Sequence, residues 1–466
     1  MPIVFIDGVA FKHSLPENEL ADALAHVAVA RAVTNHHVKQ LAAGLTKGDA
    51  ALLEQHHHGL IEGPHARLAS AIAANKNLKP AKLQSLERCL AIPGLLNFDL
   101  PLSEPVPVYA KPKKSGGVRM IHNPGLLHRT AQDMIARVLS AHYVPRPFQF
   151  THDGVHKAIK AAKSALTSGH VHVARLDVQD FYPSFTIEKL VTELPLRKEV
   201  VEHVVVGRLM KVVMDQEHMK AGYASPSLPH THADLLLLAR QGIPQGSACS
   251  PIIGAFIMSR LKWSAASDVT LINYVDDFLL MSKSLPLLDL AVGKLTAAVA
   301  DLPGGQFTLK IKGTGSAEKG FEFLGHHIQV VDAIVNTRPT NVAVHEMFEE
   351  LGGIEAKLSQ MVYVPGKAFK YDKAVATKLV AHMVAKLNGW QAAFCECDTP
   401  MRDLEFWVHE ISDWLRKLAI PLQEVLDAVE PHMGYRWDGY AIRASVQGGA
   451  PWLVGQHKGA NNSDAA

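Results

Sequence analysis

Four cysteines are few for 466 residues, and Cys89, Cys249, Cys395 and Cys397 form no CxxC pair. They supply neither a disulfide framework nor paired zinc ligands, and a reducing cytosol suits them best. No apolar run reaches the roughly eighteen residues of a membrane-spanning helix, so no membrane partner is expected. The opening stretch, MPIVFIDGVAFKHSLPENEL, carries an acid early and no basic segment, which does not read as a secretory signal. The expected location is cytoplasmic. A large charge of one sign is missing too, the formal net charge being +2. What is present, 48% hydrophobic and 20% charged residues, describes a globular chain. Its length allows about two or three domains with real cores.

The small net charge hides an uneven distribution. Residues 105–170 hold Lys111, Lys113, Lys114, Arg119, Arg129, Arg137, Arg146, Lys157, Lys160 and Lys163 against Asp133 and Asp153, so 10 − 2 = +8. Such a field suits a phosphate backbone or a triphosphate, although a solvated charged face gives the same count.

Periodicity gives a coarse order of elements. Residues 14–98 read as helical, with SLPE as a capping box and an Ala-rich stretch behind it. His56, His57 and His58 lie there, but consecutive helical positions diverge, which argues against a metal site. PVPVYAKPKKSGGVRMIHNP reads as two strands around a Ser-Gly-Gly turn, and GLLHRTAQDMIARVLSAHY as helix. HVHVARLDVQDFYPSF is a strand running into a turn at Pro183. DLLLLARQGIPQGSACSPIIGAFIMSRLKW reads as a loop feeding an apolar helix, and QFTLKIKGTGSAEKGFEFLGHHIQV as one β-hairpin. Residues 370–420 are expected to be helical, with Leu404, Trp407, Val408, Ile411, Trp414, Leu415 and Leu418 on one stripe. The tail 447–466 is expected to be disordered.

The stretch LINYVDDFLLMS places Asp276 and Asp277 inside an apolar run. A buried carboxylate is costly without a partner, so the pair either faces solvent on a turn or is compensated by positive charge. Asp177 in ARLDVQDFYPSF is a third acid at the end of an apolar strand. Two strands ending in one and two carboxylates can bring all three together. A hard divalent cation such as Mg²⁺ would neutralise them. Two such ions roughly 3.5–4 Å apart stabilise the attacking and leaving oxygens of a phosphoryl displacement.

These motifs, in this order, resemble those of the reverse transcriptases. YVDD is similar to their catalytic box, and LDVQDFYPSF to the motif carrying the first metal-binding aspartate. QGIPQGSACSP is similar to the loop and helix that support the templating base and the incoming nucleotide. KPKKSGGVRMI resembles the fingers hairpin that holds the triphosphate, and FEFLGHHI the hairpin that grips the primer end. Each is short and weak alone; five in order over about 220 residues are specific. GGVRMIHNPGLLHRTAQDMI, with LNGWQAAFC and LEFWVHEISDWLRKLA behind it, is similar to the group II intron branch of bacterial enzymes. Similarity thus covers residues 105–420. No endonuclease with paired zinc cysteines follows, the Val-Thr-Gly triplet of retron enzymes is missing, and Ser250-Pro251 stands where diversity-generating enzymes carry Ser-Gln.

The resemblance implies an α+β right-hand polymerase: an N-terminal helical extension (1–100), fingers and palm (101–335), a helical thumb (336–446) and the tail. It implies an RNA-directed DNA polymerase, stand-alone and group II intron-like, with anti-phage defence as the setting. The alternative is a maturase acting mainly as an RNA-binding splicing factor. Implied metal ligands are Asp177, Asp276, Asp277 and the backbone carbonyl of Val178, for two Mg²⁺ ions with Mn²⁺ as a substitute. Lys113, Lys114 and Arg119 are implied triphosphate contacts. Gln245 and Gly246 are expected to border the nucleotide pocket, and the Tyr182 ring to exclude a 2′-hydroxyl. Lys312 is expected to protonate the leaving pyrophosphate, unless it is a plain exposed strand lysine. Trp390 and Trp414 are expected to pack the thumb core. Implied partners are an RNA template, a DNA or RNA primer, deoxynucleoside triphosphates and a dedicated non-coding RNA.

Overall fold

A computed structural model describes residues 2–6, 9–76, 78, 82–113, 116–215, 231–264, 268–362, 373–398, 402–421 and 424–425. Lys114, the last stretch of the expected thumb (426–446) and the expected tail lie outside them. The chain divides into two compact units. The first comprises Met1–His152, Ala174–Leu280 and Leu285–Thr314; the second comprises Asp153–Val173, Met281–Ser284 and Gly315–Ala466.

The first unit opens with a hairpin that periodicity did not suggest, β1 (Ile3–Ile6) and β2 (Val9–Lys12), paired antiparallel. Four helices follow: α1 (Glu17–Lys47), α2 (Ala50–Ile61), α3 (Pro64–Lys76) and α4 (Leu86–Leu95). The expected capping box at SLPE does not form. Pro16 is the N-cap of α1 and makes no side-chain bond, while the Ser14 hydroxyl donates to Glu87 at 3.0 Å. A proline at that place already fixes φ, so the helix starts without the hydroxyl.

Next come β3 (Val106–Pro112) and β4 (Val118–His122), an antiparallel hairpin in which Lys111 faces Arg119. The 17-residue α5 (Leu126–His142) buries Leu127, Ala131, Met134, Ile135 and Val138 along one stripe. Beyond α6 (Val155–Thr167) of the second unit lie β5 (His172–Val178), α7 (Ile187–Glu193) and β6 (Val212–Met214), which pairs parallel with β3. The expected loop into an apolar helix is present between α8 (His232–Ala239) and α9 (Ser250–Met258). Then come β7 (Val269–Tyr274), β8 (Asp277–Ser282), α10 (Leu285–Ala300) and β9 (Leu309–Ser316). One core joins Val27, Leu41 and Leu60 of the N-terminal helices to Met134 of α5, Phe256 of α9 and Phe278 of β8. The N-terminal helices are therefore built into the first unit.

The sheet that matters for the site has the order β7-β8-β5-β9. QFTLKIKGTGSAEKGFEFLGHHIQV is accordingly not one hairpin. Its first strand, β9, joins this sheet, while β10 (Phe321–Phe323) and β11 (His326–Val331) pair with each other in a separate sheet with β12 (Ile334–Pro339). A 3₁₀ turn at Ala317–Lys319 and Gly320 at φ 77 separate the two. In the second unit α11 (Asn341–Val362), α12 (Lys373–Ala393) and α13 (Arg402–Lys417) share a core. Trp407, Val408, Ile411, Trp414, Leu415 and Leu418 are buried in it and Trp390 packs against it, so the tryptophans serve packing.

Candidate active site

Apolar side chains bring the acids together. Leu176 and Val178 of β5 and Phe278–Met281 of β8 are buried, which seats two adjacent strands in the core and leaves their ends to carry charge. The Val178 N–H donates to the Asp276 carbonyl at 3.0 Å, locking the end of β5 to the β7–β8 turn. One oxygen each of Asp177, Asp276 and Asp277 then lie within 4.8 Å of one another.

The turn itself is strained. Val275 has φ 57, a left-handed conformation that a β-branched residue rarely adopts and that costs about 1–3 kcal/mol. Two side chains hold it. Thr151 Oγ1 accepts the Val275 N–H at 2.9 Å, and the fully buried Asn273 donates from Nδ2 to the Val275 carbonyl at 3.0 Å and the Asp277 carbonyl at 3.3 Å. Sequence reasoning missed both residues, and only an asparagine inside an apolar strand hinted at one of them.

Electrostatics follow from the crowding. Burial, then the charges of Asp277 and Asp177, push the Asp276 carboxyl up to about 6. Burial likewise raises Asp177, against the pull of Lys312. The Lys312 ammonium lies 3.2 Å from Asp177 Oδ1 and 3.0 Å from Asp277 Oδ1. Burial lowers it, but the two carboxylates outweigh burial and hold it above the usual lysine range. Lys312 is therefore no plain strand lysine. Three converging hard-oxygen donors with one cation among them remain net negative, and they fit a divalent ion.

The other expected residues distribute around this cluster. Tyr182 is half-buried, and burial and the Asp276 charge push its hydroxyl up to about 12, with Arg119 opposing. Phe181 and Phe185 are buried in the core against Phe307, at centroid distances of 5.7 and 5.0 Å in tilted and edge-on contacts, and the half-buried Tyr182 packs at its margin. Arg119 is exposed on β4 and acts electrostatically on both Tyr182 and Asp177. Gln245 bridges to Ile121, its carbonyl accepting the His122 N–H at 2.7 Å. Gly246 has φ 101, and a Cβ there would meet the His122 carbonyl oxygen at 2.2 Å, so only glycine fits. Gly242 is equally constrained: a Cβ would lie 2.1 Å from the Tyr182 carbonyl oxygen, which instead accepts the Ile243 N–H at 3.0 Å. The loop between α8 and α9 thus clamps both the basic hairpin and the turn bearing Tyr182.

Lys113 lies just beyond the end of β3. It is ion-paired with Asp180, a residue at φ 47 just beyond Asp177 that sequence reasoning did not single out. The basic window is divided between the two units. Lys157, Lys160 and Lys163 belong to the second unit, where Lys163 pairs with Asp398 at 2.8 Å, and Arg137 pairs with Asp133 at 2.7 Å. Among the expected histidines, the three of α2 diverge: His56 is buried, the His57 ring bonds the Pro195 carbonyl at 2.7 Å, and His58 is exposed.

With this geometry in view, residues 111–328 match the family described as "Reverse transcriptase (RNA-dependent DNA polymerase)". The match covers 218 of the chain's 466 residues and includes Asp177, Asp276 and Asp277. The fold class is α+β, of the right-hand polymerase kind. A comparison with curated proteins gives no match. Among solved structures, the RNA-dependent RNA polymerase of a human picorbirnavirus is similar at 9% identity and a TM-score of 0.39, covering 79% of this chain and 78% of that one. A Candida albicans telomerase in complex with a fragment of telomeric RNA is similar at 12% identity and a TM-score of 0.32, covering 74% of this chain and 65% of that one. Among the described residues no helix is long and apolar enough to cross a membrane.

Proposed function

We propose that the protein is an RNA-directed DNA polymerase that adds deoxynucleotides to a primer 3′ end. The observation that carries this reading is the convergence of Asp177, Asp276 and Asp277 within 4.8 Å inside the reverse transcriptase segment. Asp177 and Asp276 hold the metals, Asp277 completes the cluster, and the Val178 carbonyl is a further ligand. Two Mg²⁺ ions, for which Mn²⁺ substitutes, supply stabilisation of the attacking and leaving oxygens when bound. Arg119, with Lys113 and Lys114, binds the triphosphate, where a guanidinium offers bidentate contact. Gln245 and Gly246 border the nucleotide, and the Tyr182 ring leaves no room for a 2′-hydroxyl. Lys312 delivers a proton to the leaving pyrophosphate.

In this reading residues 1–100 are an N-terminal helical extension, 101–335 fingers and palm, and 336–446 the thumb. The protein is a group II intron-like bacterial enzyme of the cytoplasm, working in anti-phage defence on an RNA template that includes a dedicated non-coding RNA. The motif order and the departures from retron and diversity-generating patterns support that setting. The test is primer extension by the purified protein on an RNA template with a DNA primer, Mg²⁺ and the four deoxynucleoside triphosphates. Template-directed extension is expected. A folded protein that binds RNA without extending any primer would favour the maturase reading instead. Sequencing the nucleic acid that co-purifies would identify the template.

A further inference from the structure

Lys312 stands where a cation is needed. Its ammonium bridges one oxygen of Asp177 and one of Asp277, from opposite sides of the strand β8–β5 boundary, at 3.2 and 3.0 Å. Those two residues, with Asp276, are the only group of three or more such ligands found among the described residues. The ammonium therefore neutralises two of the three carboxylates that a divalent ion would need. An ion bound there would stand close to the ammonium, and the two cations would repel each other.

We propose that Lys312 is a displaceable counterion of the metal site. Its ammonium neutralises the Asp177–Asp277 pair until a divalent ion takes the carboxylates, and the ion's arrival releases the lysine toward the nucleotide's phosphates. Metal entry and the freeing of a cationic side chain for the leaving group are then one exchange. The neighbouring Lys113–Asp180 ion pair repeats the pattern, a fingers-hairpin cation stored on an acid close to the site. Storage of this kind has a clear physical purpose. Like charges crowded without compensation repel one another beside the β7–β8 turn, whose Val275 is already strained.

The proposal rests on the polymerase reading of the site, and a binding measurement separates the two. Mn²⁺ is titrated into the full-length protein without nucleotide and followed by electron paramagnetic resonance, for the wild type, Lys312→Met and Lys312→Arg. Lys294→Met, an exposed lysine of α10 in the same unit, controls for the loss of one charge. Lys312→Met is expected to bind Mn²⁺ at least fivefold more tightly than the wild type, while Lys312→Arg and Lys294→Met stay within twofold of it. Thermal melts in chelator complete the pattern: Lys312→Met alone should melt lower than the wild type and recover more on adding Mn²⁺. Should Lys312→Met fail to fold, Lys312→Gln replaces it, being a neutral residue of similar reach. Unchanged or weaker Mn²⁺ binding by the folded neutral variant, with normal wild-type binding, overturns the counterion role and leaves the polymerase reading standing. No Mn²⁺ binding by any folded form overturns both.

Discussion

Two places in the first unit crowd ionisable groups of one kind, and they relieve the crowding in opposite ways. Asp177, Asp276 and Asp277 gather three carboxylates at the ends of β5 and β8. His36, His37 and His56 gather three imidazoles between α1 and α2, with ring centroids 5.1–6.1 Å apart. Histidines can shed their charge near neutral pH. Burial, His56 and His36 lower His37, burial and His36 lower His56, and the two neutral rings share a hydrogen bond between their Nδ1 atoms at 2.8 Å. Aspartates cannot do so at pH 7 unless strongly perturbed, so their crowding persists as a demand for cations. The lesson is that a like-charge cluster marks a ligand site when neutralisation must come from outside the cluster. The acids meet that condition and the histidines do not.

The largest expected effect tests the acidic side of the contrast. Asp276→Asn keeps size and removes the charge that demands a cation, so primer extension should fall by a factor of about a thousand or more. Stability should move the other way. The Asp276 carboxyl is raised from 3.8 to about 6, so the folded protein binds more protons than the unfolded chain across that window. Its contribution to stability is intact below 3.8 and lost as pH rises to 6. Without metal at pH 7.5, Asp276→Asn should therefore melt above the wild type, by at most about 3 kcal/mol. Calorimetry in chelator checks the sign. A variant that lost activity and also melted lower would show that Asp276 holds the fold together and that its crowding is no stored demand.

The acids were legible in the sequence because their surroundings are so apolar. A carboxylate pair between Ile272 and Phe278 has to answer the cost of burial, and Asp177 raises the same problem at the end of β5. What was illegible depends on distant partners. Thr151 reaches Val275 across 124 positions, and Asp180 meets Lys113 across 67, with residue types too common to signal either contact. β9 was misjudged for a similar reason. Its alternation is real, but which strand it pairs with is decided by β5, far upstream, and not by the nearer Phe321–Phe323. The clamp by Gly242 and Gly246 was half visible, since QGIPQG announced a turn without saying which carbonyl oxygens approach it.

A middle-sized effect concerns what the acidic cluster accepts. Phe181, Phe185 and Phe307 fill the core in tilted and edge-on contacts, and Tyr182 packs only partly buried against them. Burial raises its hydroxyl, and the ring lies close enough to Asp276 for that carboxylate to raise it further. Tyr182→Ala should therefore raise ribonucleotide incorporation relative to deoxynucleotide by roughly ten- to a hundredfold and keep measurable DNA synthesis. Primer extension with each nucleotide type reads the ratio. A ratio that stays at the wild-type value while DNA synthesis continues would place sugar selection on another residue.

The smallest effect belongs to the histidines, and its direction is fixed by their depressed basicity. The unfolded chain protonates His56 near 6.5 while the folded protein resists, being buried against His37 and close to His36. Below 6.5 the unfolded state thus binds more protons. The contribution to stability is complete above that value and is lost as pH falls through it. His56→Gln keeps a polar side chain able to bond His37 but cannot take up the proton. Its melting temperature should fall less than the wild type's between pH 7 and pH 5.5, the difference growing as pH falls. Primer extension at pH 7.5 should remain near the wild-type rate, since the pair holds no site residue. Parallel melting curves for the two proteins over that range would mean that the histidines titrate freely despite their packing. The contrast with the aspartates would then reduce to burial alone.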